Sequence, residues 1–170
     1  MLLVRLGVDD ERDPSFDCGD RDLNEYFFID SKQACSELIA VTYAYIDDDG
    51  KTTAFFSVSN DSIKREIISK PNIKKVAHGK RYSTLPSVKI GRFATHGAIH
   101  RNGLGSILMD FIKDWFTNKN KTGCRFIVVD AYNNDIAINF YKRNGFSFSL
   151  IDGEQEKTRL MFFDLSLVKK

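Results

Sequence analysis

The residues best suited to chemistry lie in one short stretch, His100-Arg101-Asn102-Gly103-Leu104-Gly105-Ser106. A glycine-rich turn that opens a helix leaves several main-chain N–H groups without intrahelical acceptors. Those donors, together with the positive end of the helix dipole, suit an anion and above all a phosphate. Gly103 and Gly105 carry no side chain, so a phosphate can approach the backbone closely. Two readings fit the spacing: an anion cradle, or a tight connection from strand to helix. Two familiar nucleotide loops do not fit. A P-loop needs G-x-x-x-x-G-K-[ST], and no lysine follows Gly105. A dinucleotide fingerprint needs a third small residue where this chain has Leu108. The expected ligand therefore bears phosphate but is neither a P-loop nucleotide nor NAD. Cys124, ahead of an apolar strand and without a neighbouring base, reads as a buried inert thiol.

A helix has to follow that turn. After Gly103, the residues Leu104, Ile107, Leu108, Phe111, Ile112, Trp115 and Phe116 recur at helical spacing and form one apolar face. Asp110, Lys113 and Asp114 fall on the other side. A strand has to precede the turn, and residues 87–95 supply it, with Val88 and Ile90 alternating with Lys89 and Gly91. Residues 125–131 hold the run Phe126-Ile127-Val128-Val129, as in a strand covered on both faces. Asn133 or Asn134 caps a helix reaching Asn144, with Ile136/Phe140 and Ala137/Tyr141 as i,i+4 pairs, and Gly145 stops it.

Upstream, residues 2–8 read as a first strand. Asp20 caps a helix that carries Leu23 and Phe27. Residues 39–46 and 52–59 form a hairpin about Asp47-Asp48-Asp49-Gly50. Residues 61–86 read as a partly helical, basic connection. Residues 146–150 and 158–165 form a last strand pair around Asp152-Gly153. The order β, helix, ββ, β, helix, β, helix, ββ implies a mixed α/β protein whose sheet is parallel in part.

The 170 residues suit one domain, 1–170. Apolar residues at 42% and charged residues at 28% exclude disorder, collagen and a coiled-coil rod. A net charge of +2 excludes a wholesale nucleic-acid coat and leaves room for a local patch. Cys18, Cys35 and Cys124 match neither a disulfide framework nor a zinc site, and no metal site is expected. Reduced thiols in a cytoplasmic protein are the simpler expectation. No signal peptide is apparent at Met1-Leu2-Leu3-Val4-Arg5, and no apolar run reaches the ~20 residues that span a bilayer.

Two motifs add a resemblance. Ile90-Gly91-Arg92-Phe93-Ala94-Thr95, four residues, then His100-Arg101-Asn102-Gly103-Leu104-Gly105 resembles the acetyl-CoA-binding motif of the GNAT acetyltransferases, where Q/R-x-x-G-x-G/A follows a strand. The segment from Asn134 through Ala137 and Tyr141 to Gly145-Phe146 looks like the family's second signature, N-x-x-A-x-x-x-Y-x-x-x-G-F. The motif-bearing match covers residues 86–150. It implies an α/β (or α+β) fold with a mixed, centrally splayed sheet flanked by helices on both faces. His100 stands where the family prefers Gln or Arg; a cradle built from main chain tolerates it. Thr95 replaces a more usual Val, and His96 a more usual acid.

The resemblance implies acetyl-CoA as cofactor and direct attack of an amine on its thioester. Amides of Arg101, Asn102, Gly103, Leu104, Gly105 and Ser106 would hold the pyrophosphate. Phe93, Ala94 and Thr95 would offer main-chain groups to the pantetheine arm and an N–H to the acetyl carbonyl, where their strand splays from residues 126–131. Asn134 would support the cofactor. Tyr141 would protonate the departing thiolate; its other reading is a core aromatic packed on Ala137. His96, His100, Glu25 and Asp130 are candidates for general base by residue type alone, with structural or solvated roles as the default.

Within the family, several segments resemble the toxin-type proteins. They are the basic connection, Val88-Lys89-Ile90-Gly91-Arg92-Phe93-Ala94, Phe16-Asp17-Cys18-Gly19 with Leu23, and the run RFIVVDAYN from Arg125. That branch implies acetylation of the amino group of aminoacyl-tRNA and a small DNA-binding antitoxin as partner. Arg92 would bind the acceptor. Lys64, Arg65, Lys70, Lys74, Lys75, Lys80, Arg81 and Arg92 would then meet RNA phosphates, or else form a solvated surface. The same chemistry on a small-molecule amine or a protein amino group is the alternative, and a homodimer stays open. A non-catalytic acyl-CoA-binding module is a third reading, against which Tyr141 and the Gly103/Gly105 pair speak.

Overall fold

Seven apolar-patterned segments become the strands of one sheet. The computed structural model describes residues 2–68, 82–99, 103–118, 122–151 and 153–168. The strands are β1 (Leu2–Leu6), β2 (Val41–Ile46), β3 (Thr52–Lys64), β4 (Thr84–Thr95), β5 (Phe126–Tyr132), β6 (Ser147–Phe148) and β7 (Thr158–Asp164). Their order across the sheet is β1-β2-β3-β4-β5-β7-β6. Helices α1 (Arg21–Glu25) and α2 (Ser31–Ser36) flank a π-helical turn, Tyr26–Asp30; α3 is Leu104–Asn118 and α4 is Asp135–Arg143. The element order is the one expected. The pairs β1–β2, β2–β3, β5–β7 and β6–β7 are antiparallel. Neighbours β4 and β5 are joined through α3, the crossover that a parallel pair requires.

The chain divides into two compact units, Met1–Ser59 with Ile90–Ile107, and Asn60–Lys89 with Leu108–Lys170. The core of the first gathers Leu6, Phe16, Phe27, Ala44, Phe55 and Ala94. Phe16 packs 4.7 Å from Phe27 and 5.5 Å from Phe55, ring centre to ring centre. Asp20 starts α1 as expected, accepting the Leu23 N–H at 3.0 Å. The π turn is absent from the sequence pattern. Such turns break the regular i→i+4 ladder. Here the Phe27 carbonyl accepts instead from Ser31 Oγ at 2.8 Å and from Nε of the buried Arg12 at 3.2 Å.

The second unit is built on Ile63, Ile68, Leu85, Phe126, Val128 and Phe162. Helix α3 buries Leu108, Met109, Ile112 and Lys113. The expected apolar face is thus rotated: Ile107 is 63% exposed, and Lys113 is buried rather than solvated. Its stem packs while its Nζ sits 4.6 Å from the Phe163 ring centre and 3.0 Å from Asp110 Oδ1. A lysine can bury its methylenes in this way once its charge has a ring face and a carboxylate.

Strand limits also differ. Residues 61–64 extend β3 and residues 84–86 begin β4, with Arg65–Ile67 a 3-10 turn between. The Arg65 N–H donates to the Ser83 carbonyl at 2.9 Å, which carries order past the apolar stretch. The expected helical, basic connection is therefore strand at both ends. Lys70, Lys74, Lys75, Lys80 and Arg81 lie outside the described residues.

Helix α4 is closed at both ends by sequence-local chemistry. Asn134, not Asn133, is its cap and accepts the Ala137 N–H at 2.9 Å. Asn133 instead donates to the Glu154 and Glu156 carbonyls. At the other end Gly145 has φ +80°. The Phe146 N–H reaches the Tyr141 carbonyl at 3.0 Å, and the Gly145 N–H reaches Lys142 at 2.9 Å, a Schellman closure. An alanine Cβ at this position would sit 3.1 Å from Phe163 Cε2 in a left-handed backbone. Gly145→Ala is expected to cost ~1–2 kcal/mol and to lower Tm by roughly 2–8 °C in thermal unfolding.

Candidate functional site

The end of β4 and the opening of α3 both belong to the first unit. Ala94 is buried in the core, while Phe93 and Thr95 on either side are half-buried. The chain leaving β4 is pinned at two points. The His96 N–H donates to the Thr53 carbonyl and the Gly97 N–H to the Asp17 carbonyl, both at 2.8 Å. That second contact gives the segment Phe16-Asp17-Cys18-Gly19 a role. Phe16 fills the core and meets the His96 ring edge-on at 5.8 Å. Asp17 Oδ1 accepts from the Gly19 N–H and from Asn24 Nδ2, each at 2.7 Å, and these bonds hold its carboxyl below the usual carboxylate range.

At the head of α3, Gly103 takes φ +78°, and its carbonyl accepts from the Ser106 and Ile107 N–H groups at 3.0 and 3.2 Å. Helix geometry then gives the Leu104 and Gly105 N–H groups no intrahelical acceptor. A Cβ added at Gly103 would meet no atom within 4 Å. The main chain here is both donor-rich and open, which fits a diphosphate. His100, Arg101 and Asn102 lie outside the described residues.

Arg92 is oriented by partners that sequence reasoning missed. Its guanidinium lies 5.1 Å from the Tyr26 ring centre, and its Nε is 3.7 Å from Asp22 Oδ2. Asp22 and Tyr26 are four residues apart after the Asp20 cap, a spacing that sets both on one helical face and is the signal that could have found them.

The candidates for general base mostly have other duties. His96 Nδ1 accepts the Ala98 N–H at 3.1 Å. Its Nε2 therefore carries the proton and donates to the Ser15 carbonyl at 3.1 Å. Asp130 pairs with Lys89. Glu25 is exposed at the end of α1.

Asn134 and Tyr141 belong to the second unit, on α4. Tyr141 packs edge-on against Phe140 at 5.2 Å and Phe146 at 5.3 Å. Burial raises its phenol above the ordinary value, so at neutral pH it holds a proton to give. Cys124 donates to the Phe126 carbonyl at 3.3 Å, and burial pushes its thiol up to about 11. Alkylation of Cys124 is therefore expected to be slow at neutral pH and to accelerate with a midpoint near 11. Cys124 is half-buried rather than fully buried as expected, and a midpoint near ~8.5, the free-cysteine value, would contradict the shift. The sign for stability follows: the folded state holds this proton more tightly, so Cys124 favours folding below about 9 and that contribution is lost as pH rises through about 11.

Residues 6–146 match the acetyltransferase (GNAT) family. The chain belongs to the GNAT acetyltransferases, enzymes that take an acetyl group from acetyl-CoA. No curated protein matches it by sequence. Solved structures do. A tyrosine-to-phenylalanine mutant of KacT is 25% identical, with a TM-score of 0.74 over 98% of this chain and 96% of that one. AtaTR bound with acetyl-CoA is 24% identical, with a TM-score of 0.75 over 97% and 94%. AtaT complexed with acetyl-methionyl-tRNAfMet is 21% identical, with a TM-score of 0.75 over 97% and 95%. Among the described residues no helix is long and apolar enough to cross a membrane.

Proposed function

We propose that this chain acetylates the α-amino group of an aminoacyl-tRNA, as a cytoplasmic toxin restrained by a small DNA-binding antitoxin, with residues 1–170 acting as one catalytic domain. The observation that carries the reading is the pair of motifs, one at the open head of α3 and one on α4, in a chain that resembles KacT over 98% of its length. Further support comes from what related structures hold: AtaT with acetyl-methionyl-tRNAfMet, AtaT with the C-terminus of the antitoxin AtaR, and a KacTA–DNA complex.

Bound acetyl-CoA supplies an activated thioester carbonyl. By the family resemblance, the amides of Arg101 to Ser106 would hold its diphosphate and Asn134 would support it. Main-chain groups of Phe93, Ala94 and Thr95 align its arm. An N–H from that strand end meets the charge that develops on the carbonyl oxygen, an effect worth ~3 kcal/mol per donor in other acyl transfers. As the amine forms its C–N bond and the C–S bond breaks, Tyr141 would give its proton to the departing sulfur and, through water, recover the proton the amine sheds. Arg92, oriented by Tyr26 and Asp22, holds the acceptor.

Thioester cleavage measured with charged tRNA, with mixed small amines and with protein acceptors tests this. Cleavage is expected with charged tRNA. Cleavage with small amines or proteins alone would replace the acceptor, and cofactor binding without turnover would make the chain an acyl-CoA-binding module.

A further inference from the structure

We propose that Lys142 and Arg159 form a phosphate-binding site for the RNA acceptor, assembled around the ring of Phe148; it rests on the aminoacyl-tRNA reading above. Phe148 lies on β6, at the edge of the sheet, opposite Met161 of β7. Arg159 is two residues from Met161 on the same face, the diagonal position that a long side chain reaches. Its guanidinium carbon lies 3.8 Å from the Phe148 ring centre. The last turn of α4 brings in Lys142, whose Nζ is 5.1 Å from the same centre.

Two cations thus share one ring. The ring attracts each of them, yet it leaves their mutual repulsion in place. Four other cations each meet a carboxylate: Lys89 meets Asp130, Arg92 meets Asp22, Lys113 meets Asp110 and Arg125 meets Asp164, while the buried Arg12 is held by main-chain carbonyls and Ser31 Oγ. Among the described residues no carboxylate pairs with Lys142 or Arg159. Arg143, exposed beside Lys142, adds a third positive charge. The carbonyl end of α4 offsets only part of this. A guanidinium over a ring keeps its N–H edge free to fork onto two oxygens of one phosphate. A cationic surface that meets the phosphate backbone is what grips nucleic acid without reading its sequence, and a tRNA presents a single-stranded acceptor end.

The test is tRNA affinity of the full chain across a salt series, for the wild type, the double variant Lys142→Gln/Arg159→Gln, and Lys142→Arg. The double variant is expected to bind about tenfold more weakly at low salt. The slope of log affinity against log salt should fall by about 0.7, because one phosphate of a single-stranded end would no longer be neutralised. Acetyl-CoA affinity and Tm should hold, and Lys142→Arg should keep the wild-type slope. An unchanged slope in the double variant overturns the site. So does a loss of acetyl-CoA affinity with dephospho-CoA unaffected, which would assign the cations to the cofactor. So does an intact slope with lost binding of polyglutamate, which would assign them to an acidic protein. A wild type that acetylates another amine and binds no tRNA sinks the acceptor reading itself, which these arms keep separate.

Discussion

Replacing Tyr141 by phenylalanine is expected to lower turnover by ~10²–10⁴ and to leave acetyl-CoA affinity unchanged. The ring contacts with Phe140 and Phe146 survive the substitution, so α4 keeps its packing and its Schellman closure. Only the hydroxyl is removed. Its pKa is raised by burial, so it is fully protonated throughout the neutral range and keeps its capacity to donate as pH rises toward 9. A departing thiol of pKa ~8.5 would then take its proton from water, a poorer acid. Steady-state kinetics with cofactor binding measured in parallel checks the split. Equal turnover in the two proteins would return Tyr141 to a packing role.

Gly105→Val is expected to weaken acetyl-CoA about 100-fold, ~2.7 kcal/mol, with stability changed by no more than ~0.5 kcal/mol. Gly105 is the second residue of α3 and half-buried. Valine is at least as good a helix residue as glycine, so the fold should tolerate it. What changes is the approach to the main chain, because a branched side chain stands where a diphosphate oxygen has to reach the N–H groups. Gly103 is a poorer probe, since its φ of +78° would strain any other residue and confound binding with folding. Calorimetric titration with CoA and a thermal melt separate the two effects. Unaltered affinity would mean that the turn at Gly103 is only a connection.

The order of elements could be read from the chain because it depends on strong local signals. Asp20, Gly50, Asn134 and Gly145 start or stop elements by chemistry carried within a few residues. The phase of α3 could not be read the same way. Hydrophobicity alone favoured Ile107 and rejected Lys113, whereas burial followed the neighbours, Phe163 and Asp110, that the ammonium finds in the fold. The π turn at Tyr26–Asp30 depends on Arg12, fourteen residues ahead of the turn's first residue, so no local pattern announces it. The site shows the same division. The turn at Gly103 and a cap at Asn133 or Asn134 were apparent from residue type and spacing, while the choice of Asn134 and the grip of Tyr26 and Asp22 on Arg92 needed the elements to be packed together.

The engagement of His96 by two main-chain groups has a consequence for which nucleophiles can react. With that imidazole held by main chain, an amine that arrives already uncharged asks no proton transfer of His96. An α-amine of pKa ~8 is about one-tenth uncharged at pH 7, whereas a lysine side chain at ~10.4 is uncharged in about one molecule in 2,500. Selection between them can be made by proton affinity before any surface is touched.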